Sequence, residues 1–263
     1  MSPARQGPPA AEVGIRLARA GVCIAASSLS AAAAAGRLRK LRGAGDLDQA
    51  RARALVLRDV CRRLLDLHRV RAEVEGPIPL GPVLLASNHV SWLDPLVVGA
   101  TVPCVPVSKL DVSGWPIIGG LVTELGVLFV NRGDPGSGAQ VIRGAERALA
   151  AGVPVLNFPE GTTTTGQEVL PFRRGLFGLA RRAGVPVVPV ALSYDPPHLA
   201  WVGDATFLPH YLRLASDPSA LVRIRLGHPV EPAGYPGPAD LASAVRERIL
   251  EFLGGTRDAA VGA

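Results

Sequence analysis

Val83-Leu84-Leu85-Ala86-Ser87 runs directly into Asn88-His89-Val90-Ser91-Trp92-Leu93-Asp94-Pro95. The first five residues form an apolar run of strand length, as expected for a strand buried on both faces. The next seven carry an amide, an imidazole, a hydroxyl and a carboxylate. Pro95 then suits the first turn of a helix. The stretch therefore reads as strand, polar loop, helix.

The same texture extends downstream. Short β-rich runs at 102–107, 127–130, 153–158, 185–192 and 221–226 alternate with helical stretches at 95–100, 138–150, 175–183 and 239–253. This order predicts an α/β fold, a largely parallel mixed sheet flanked by helices. Functional groups in such a fold gather in loops outside the carboxyl ends of the strands.

Upstream the texture differs. Residues 1–12 read as a tail. Residues 20–36 are 17 uncharged positions dominated by alanine. As a helix they span roughly 25 Å, a little short of a ~30 Å hydrocarbon core. A marginal span or an interfacial helix follows, with a cleaved signal peptide and an alanine-rich soluble helix as competing readings. Between 46 and 71, Leu47, Ala50, Ala54, Leu57, Cys61, Leu64 and His68 recur at steps of three and four, an apolar helical stripe in which His68 reads as a packed histidine. The expected division is an N-terminal helical arm over 1–71 and a body over 72–263.

The charge follows that division. Of a net charge of +6, residues 1–36 carry +2, residues 37–71 carry +7 and the remainder carries −3. A basic arm on a near-neutral body calls for an anionic surface, either membrane headgroups or nucleic acid. Basic residues beside an apolar stretch stay on the cytoplasmic side, which argues against export. The chain is 48% hydrophobic and 19% charged, with mean hydropathy +0.27. This excludes a disordered chain and suits membrane association. Aromatic residues at 5% are too few for a single-strand stacking platform. Three cysteines without C-x-x-C spacing remove a disulfide framework and a zinc knuckle, leaving Cys23, Cys61 and Cys104 as small packed residues in a reducing compartment.

His89 and Asp94 meet only if the segment between them turns, since five positions on a continuous helix lie about 140° apart. A carboxylate on one imidazole nitrogen fixes the tautomer and leaves the other as a general base. Asp94 ahead of Pro95 equally suits a helix N-cap, and spacing leaves both roles open. The sequence holds no G-x-S-x-G, H-E-x-x-H or P-loop signature. Two further strand ends lead into polar residues: Gly126-Val127-Leu128-Phe129-Val130-Asn131-Arg132, and the loop Pro159-Glu160-Gly161-Thr162-Thr163-Thr164-Thr165-Gly166 after 153–158.

These blocks, in this order, resemble the four motifs of the glycerolipid acyltransferase superfamily, of the lysophosphatidic acid acyltransferase type. They are Asn88–Asp94 with its His-x4-Asp, Gly126–Arg132, Phe158-Pro159-Glu160-Gly161-Thr162, and Val185-Pro186-Val187-Val188-Pro189-Val190. The resemblance covers about 88–190 closely and extends in general pattern over 70–230. It implies a membrane-associated O-acyltransferase on the cytoplasmic face of the cell membrane, peripheral or with one short span. An acyl group would pass from acyl-CoA or acyl carrier protein to the free hydroxyl of a lysophospholipid such as 1-acylglycerol-3-phosphate, in phospholipid biosynthesis. It also implies His89 as base, Asp94 as its orienting partner, and Arg132, Glu160, Gly161 and Thr162 around the acceptor headgroup. Lys109 would be a further basic residue of the site, and Pro189 would shape the donor site. No metal, tightly bound cofactor or nucleic acid is implied, because the thioester is a substrate.

Many members follow Glu-Gly-Thr with arginine, where this chain has Thr163. Threonine-rich third motifs resemble acyltransferases for lyso-ornithine lipid or lysophosphatidylcholine, which stand as alternative acceptors. Arg173 and Arg174 are candidates for the missing charge. Two other readings compete: a thioesterase using water at the same pair, and a non-enzymatic basic membrane- or nucleic-acid-binding module resting on 37–71.

Overall fold

The computed structural model describes residues 10–40, 45–115, 118–131, 133–203, 206–216 and 219–261. In chain order the elements are α1 (Ala10–Lys40), α2 (Asp46–Leu67), β1 (Val70–Glu75), β2 (Leu84–Ser87), α3 (Asp94–Thr101), β3 (Val105–Lys109), α4 (Ile118–Glu124) and β4 (Leu128–Val130). There follow α5 (Pro135–Ala150), β5 (Val155–Asn157), α6 (Gly175–Ala183), β6 (Val187–Asp195), α7 (Phe207–Ser216), β7 (Ala220–Leu226) and α8 (Pro238–Val261). The seven strands form one sheet in the order β1-β7-β6-β2-β5-β3-β4. Every pairing is parallel except β6 with β7. The architecture is the mixed, mostly parallel α/β sheet that the alternating pattern predicts.

Two helical layers cover the sheet. On one face Leu57, Val60, Cys61 and Leu65 of α2 and Val97 and Val98 of α3 pack with Leu85, Val188, Val190 and Leu192. On the other, Ala145 and Ala148 of α5, Phe177 and Leu179 of α6 and Val245 and Ile249 of α8 pack with Leu84, Ala86, Val155 and Val187. All four residues of β2 are buried, which explains their unbroken apolar run. Cys23, Cys61 and Cys104 are all buried and free, and burial pushes the Cys61 thiol up to about 12. They are inert packing residues.

The boundary expected at 71/72 falls inside β1, and α2 shares a core with the sheet that Ala34 and Leu38 of α1 also join. Helix α2 ends where Arg69 takes φ +54, a left-handed turn that a sequence without glycine there does not announce. The strand that follows alternates charged and apolar residues at the sheet edge. Its Glu73 and Glu75 face Arg223 and Arg225 of β7 in register, at 3.6 and 3.8 Å.

Helix α1 packs against α2 and α7. Ala20 and Cys23 are buried with Tyr211 and Ala215, and Arg37 pairs with Asp59 of α2 at 2.9 Å. Its other side leaves Val22 at 64% and Leu29 at 73% exposure. Residues 18–40 are long and apolar enough to cross a membrane, with mean hydropathy 1.3. His68 is a packed histidine: its Nδ1 donates to Leu64 O at 2.7 Å and its Nε2 lies 3.1 Å from the Tyr211 hydroxyl.

Candidate active site

Strand β2 ends at Ser87, and Asn88 fastens that end to β6. Its Nδ2 donates to Leu192 O at 3.0 Å and its Oδ1 accepts from Leu192 N at 2.8 Å. The side chain thus imitates one rung of a ladder and releases the backbone to turn. The turn closes with Asp94 N donating to Ser91 O at 3.1 Å.

The turn brings His89 and Asp94 together, Nδ1 to Oδ2 at 2.7 Å. Asp94 is fully buried, and the same Oδ2 accepts Val90 N at 2.6 Å and Ser91 N at 3.0 Å. An oxygen that accepts two amides takes a proton donor as its third neighbour, so Nδ1 carries the hydrogen and Nε2 is left with its lone pair. The N-cap of α3 is Leu93, and Asp94 gives that helix no side-chain cap. This settles the choice the spacing leaves open: the carboxylate faces back toward the histidine. Phe158 stacks on the imidazole at 4.3 Å between centroids and 23° between planes, which fixes the ring plane.

Glu160 is buried at 4% exposure. Its Oε1 accepts His89 N at 2.7 Å and its Oε2 accepts Leu170 N at 2.8 Å. Burial, the largest influence, pushes its pKa up, opposed by the two amides. Each oxygen accepts one main-chain amide, so this residue braces the two loops against each other. Gly161 has φ +77, and a Cβ there would stand 2.8 Å from Cζ of Arg173. Only glycine both accepts that backbone angle and lets the guanidinium lie against the loop. Thr162 is exposed beside it. Thr163 donates its hydroxyl to Trp201 O, and Thr164 N donates to His89 O at 2.8 Å.

Other expected residues lie elsewhere. Pro189 is buried within β6, in register with Ala86 of β2. Between Val190↔Leu226 and Val187↔Val230, β6 advances three residues and its partner four. Pro189, with no N–H to offer, sits at this bulge, where its carbonyl accepts Gly227 N at 2.9 Å. It shapes the sheet beside Ala86, one residue before the carboxyl end of β2. Lys109 is exposed at the carboxyl end of β3, paired in register with Val130. Arg132 lies outside the described residues. The preceding Asn131 N donates to Ser137 Oγ at 2.7 Å, so the serine before Gly138 anchors this loop.

Sequence reasoning missed Tyr194, whose hydroxyl donates to Asp94 Oδ1 at 2.5 Å from 100 residues away, and the ladder made by Asn88. Neither has a local signature. Chemically, the cluster presents an imidazole nitrogen with its lone pair free, held by a buried carboxylate at a strand end. Ser91 is fully buried, and its Oγ has no hydrogen-bond partner among the described residues. The backbone amides of residues 89, 90 and 91 are all engaged.

The fold is that of the α/β class, with a His–Asp pair in the loop at the carboxyl end of a central strand. The Acyltransferase family model matches residues 69–193, from just before β1 to near the end of β6. Lyso-ornithine lipid O-acyltransferase of Pseudomonas aeruginosa is 37% identical over 188 residues, which is 70% of this chain and 72% of that protein. A 1-acyl-sn-glycerol-3-phosphate acyltransferase of Neisseria meningitidis serogroup B is 35% identical over 159 residues, 59% of this chain and 62% of that protein. The crystal structure of the 1-acyl-sn-glycerophosphate acyltransferase PlsC from Thermotoga maritima shares the fold at TM-score 0.72 and 21% identity, covering 94% of this chain and 98% of that one. This chain belongs to the acyltransferase family.

Proposed function

We propose that this acyltransferase esterifies the free hydroxyl of a lysolipid in phospholipid biosynthesis, with acyl-CoA or acyl carrier protein as donor. The observation that carries the reading is the 2.7 Å contact of His89 Nδ1 with Asp94, which leaves Nε2 as the base. His89 Nε2 takes the proton of the acceptor hydroxyl as its oxygen attacks the thioester carbonyl. The tetrahedral adduct collapses, the carbon–sulfur bond breaks, and the same proton passes to the departing thiolate. The products are an ester and a free thiol. Holding two substrates in register with the base supplies much of the rate. With the amides of 89–91 engaged, donors for the oxyanion come from another segment or from substrate.

Arg132 and Arg173 bind the acceptor's anionic headgroup, with Lys109 and Thr162 at the periphery. A guanidinium pairs with phosphate or carboxylate through two parallel donors. Thr163, tied to Trp201, leaves the position after Glu-Gly-Thr without a cation, and Arg173 against Gly161 supplies one. Thr163 favours a second acceptor, a lyso-ornithine lipid, as does the likeness to proteins of that name. Helix α1 holds the protein to the membrane, with Arg37, Arg39 and Lys40 at its end on the cytoplasmic face.

Acyl-CoA consumption against a panel of lysolipids tests the reading. Thiol release should depend on lysolipid and match ester formed. Release of free fatty acid without lysolipid would instead identify a thioesterase.

A further inference from the structure

Asp94 Oδ1 accepts the hydroxyl of Tyr194 at 2.5 Å, while Oδ2 accepts His89 Nδ1, Val90 N and Ser91 N. From this geometry we infer that Tyr194 is a positioning residue of the reaction, which sets how strongly Asp94 draws the proton on His89. The inference deepens the proposed function and rests on His89 as the base.

The physical argument concerns where the negative charge of Asp94 goes. The carboxylate is fully buried, so water does not share the charge and each donor counts. Val90 and Ser91 amides come with the turn itself. Tyr194 comes from β6, and it is the donor that reaches Oδ1. It withdraws charge from the oxygen opposite His89 and so moderates the pull on the imidazole. Burial and the carboxylate push the phenol well above the ordinary tyrosine value, so it remains a donor throughout the working range. Asn88 holds β6 at Leu192, two residues before Tyr194. The register that delivers the phenol is therefore fixed by the residue next to the base.

The device keeps the proton in the right place. A carboxylate with fewer donors would hold the imidazolium more firmly after it takes the hydroxyl proton, and would slow its delivery to the thiolate. Four donors leave Asp94 strong enough to orient His89 and too weak to keep the second proton there.

Among the described residues, the further ionisable groups that bond to His89 or Asp94 are Tyr194 from β6 and Glu160 from the loop after β5. Glu160 bonds to His89 N and Leu170 N and not to Tyr194. An acid limb set by Glu160 therefore stays in place when the phenol is removed.

The test is the pH dependence of lysolipid turnover by the full chain. Tyr194→Phe should lower kcat roughly threefold, the factor that half a pH unit represents, with donor KM little changed. It should also move the acid limb of kcat/KM upward by about half a pH unit, because the more charged carboxylate favours the imidazolium. Since Tyr194→Phe leaves a buried acceptor unpaired and its folding is at risk, 3-fluorotyrosine at position 194 provides a second variant. Its more acidic phenol donates more strongly, so the limb should move downward. An unmoved limb in both proteins, or activity lost equally at every pH, would overturn the inference and leave Tyr194 as structural. If His89→Ala retains turnover, the base itself is misassigned and the inference falls with it.

Discussion

Glu160 reaches His89 through its main chain: the carboxylate accepts the histidine's backbone N–H at 2.7 Å with one oxygen and Leu170 N at 2.8 Å with the other. The backbone that carries the imidazole is thus pinned from the next strand end, while Asp94 pins its ring. Two acids serve one histidine at different points.

Glu160→Gln keeps the shape but turns an –NH2 toward one of the two amides. The lost bond should cost about 1–3 kcal/mol of stability and reduce kcat by loosening His89. The cost should depend on pH. Because the folded pKa of Glu160 is raised, the folded state binds this proton more tightly than the unfolded state. Its contribution is then fully present below the unfolded value and declines as pH rises through the folded one. Denaturant midpoints of both proteins across the acid range should therefore differ most at the lowest pH. A gap that widens with rising pH would contradict the sign.

Arg173→Ala should lower acceptor kcat/KM roughly fivefold to tenfold for an anionic lysolipid, a modest loss because the guanidinium is exposed. Arg173→Lys should fall between, keeping the charge without the fork. Arg132→Lys and Arg132→Ala should rank the same way. Donor KM should move little in all four. Acceptor kinetics with phosphate-bearing, amino-acid-bearing and uncharged lysolipids make the comparison, and equal losses on charged and uncharged acceptors would mean that neither arginine reads the headgroup.

On α1 the outward Val22 and Leu29 are the side chains to change, since Ala20 and Cys23 on the inward side pack against α7. The double substitution Val22→Asp and Leu29→Asp should weaken binding to anionic vesicles at least ~tenfold. Activity on detergent-dispersed lysolipid should survive. Vesicle flotation reads the difference, and flotation equal to wild type would show that this face of α1 does not meet lipid.

Much of the frame was legible because local chemistry and tertiary role agreed. The run ending at Ser87 is apolar at every position because both faces of β2 are covered, and 175–183 coincides with α6 because Gly184 closes it in the left-handed conformation, φ +61. Strand β1 was hidden because its alternating charges continue from a basic helix, and the break at Arg69 uses no glycine or proline. Helices α4 and α7 were likewise absent from the pattern. At the site, the His–Asp spacing was readable but its purpose was not, because a carboxylate before proline serves a cap or a base equally well. Only the folded turn shows that the carboxylate meets the imidazole and leaves α3 without a side-chain cap. The two main-chain bonds of Glu160 were not legible, because motif position carries no information on which way an oxygen faces. Tyr194 could not be found locally, since its partner lies across the sheet.

The central claim is that Nε2 of His89 removes the acceptor's proton while Asp94 holds Nδ1. The most direct measurement is lysolipid-dependent thiol release from acyl-CoA by His89→Ala beside wild type, at saturating acceptor, with thermal unfolding to establish that both are folded. A general base accounts for roughly 10²–10⁴-fold in rate, so the account predicts a kcat reduced by that factor with donor KM near wild type. A folded His89→Ala protein that turns over within a few-fold of wild type would contradict it.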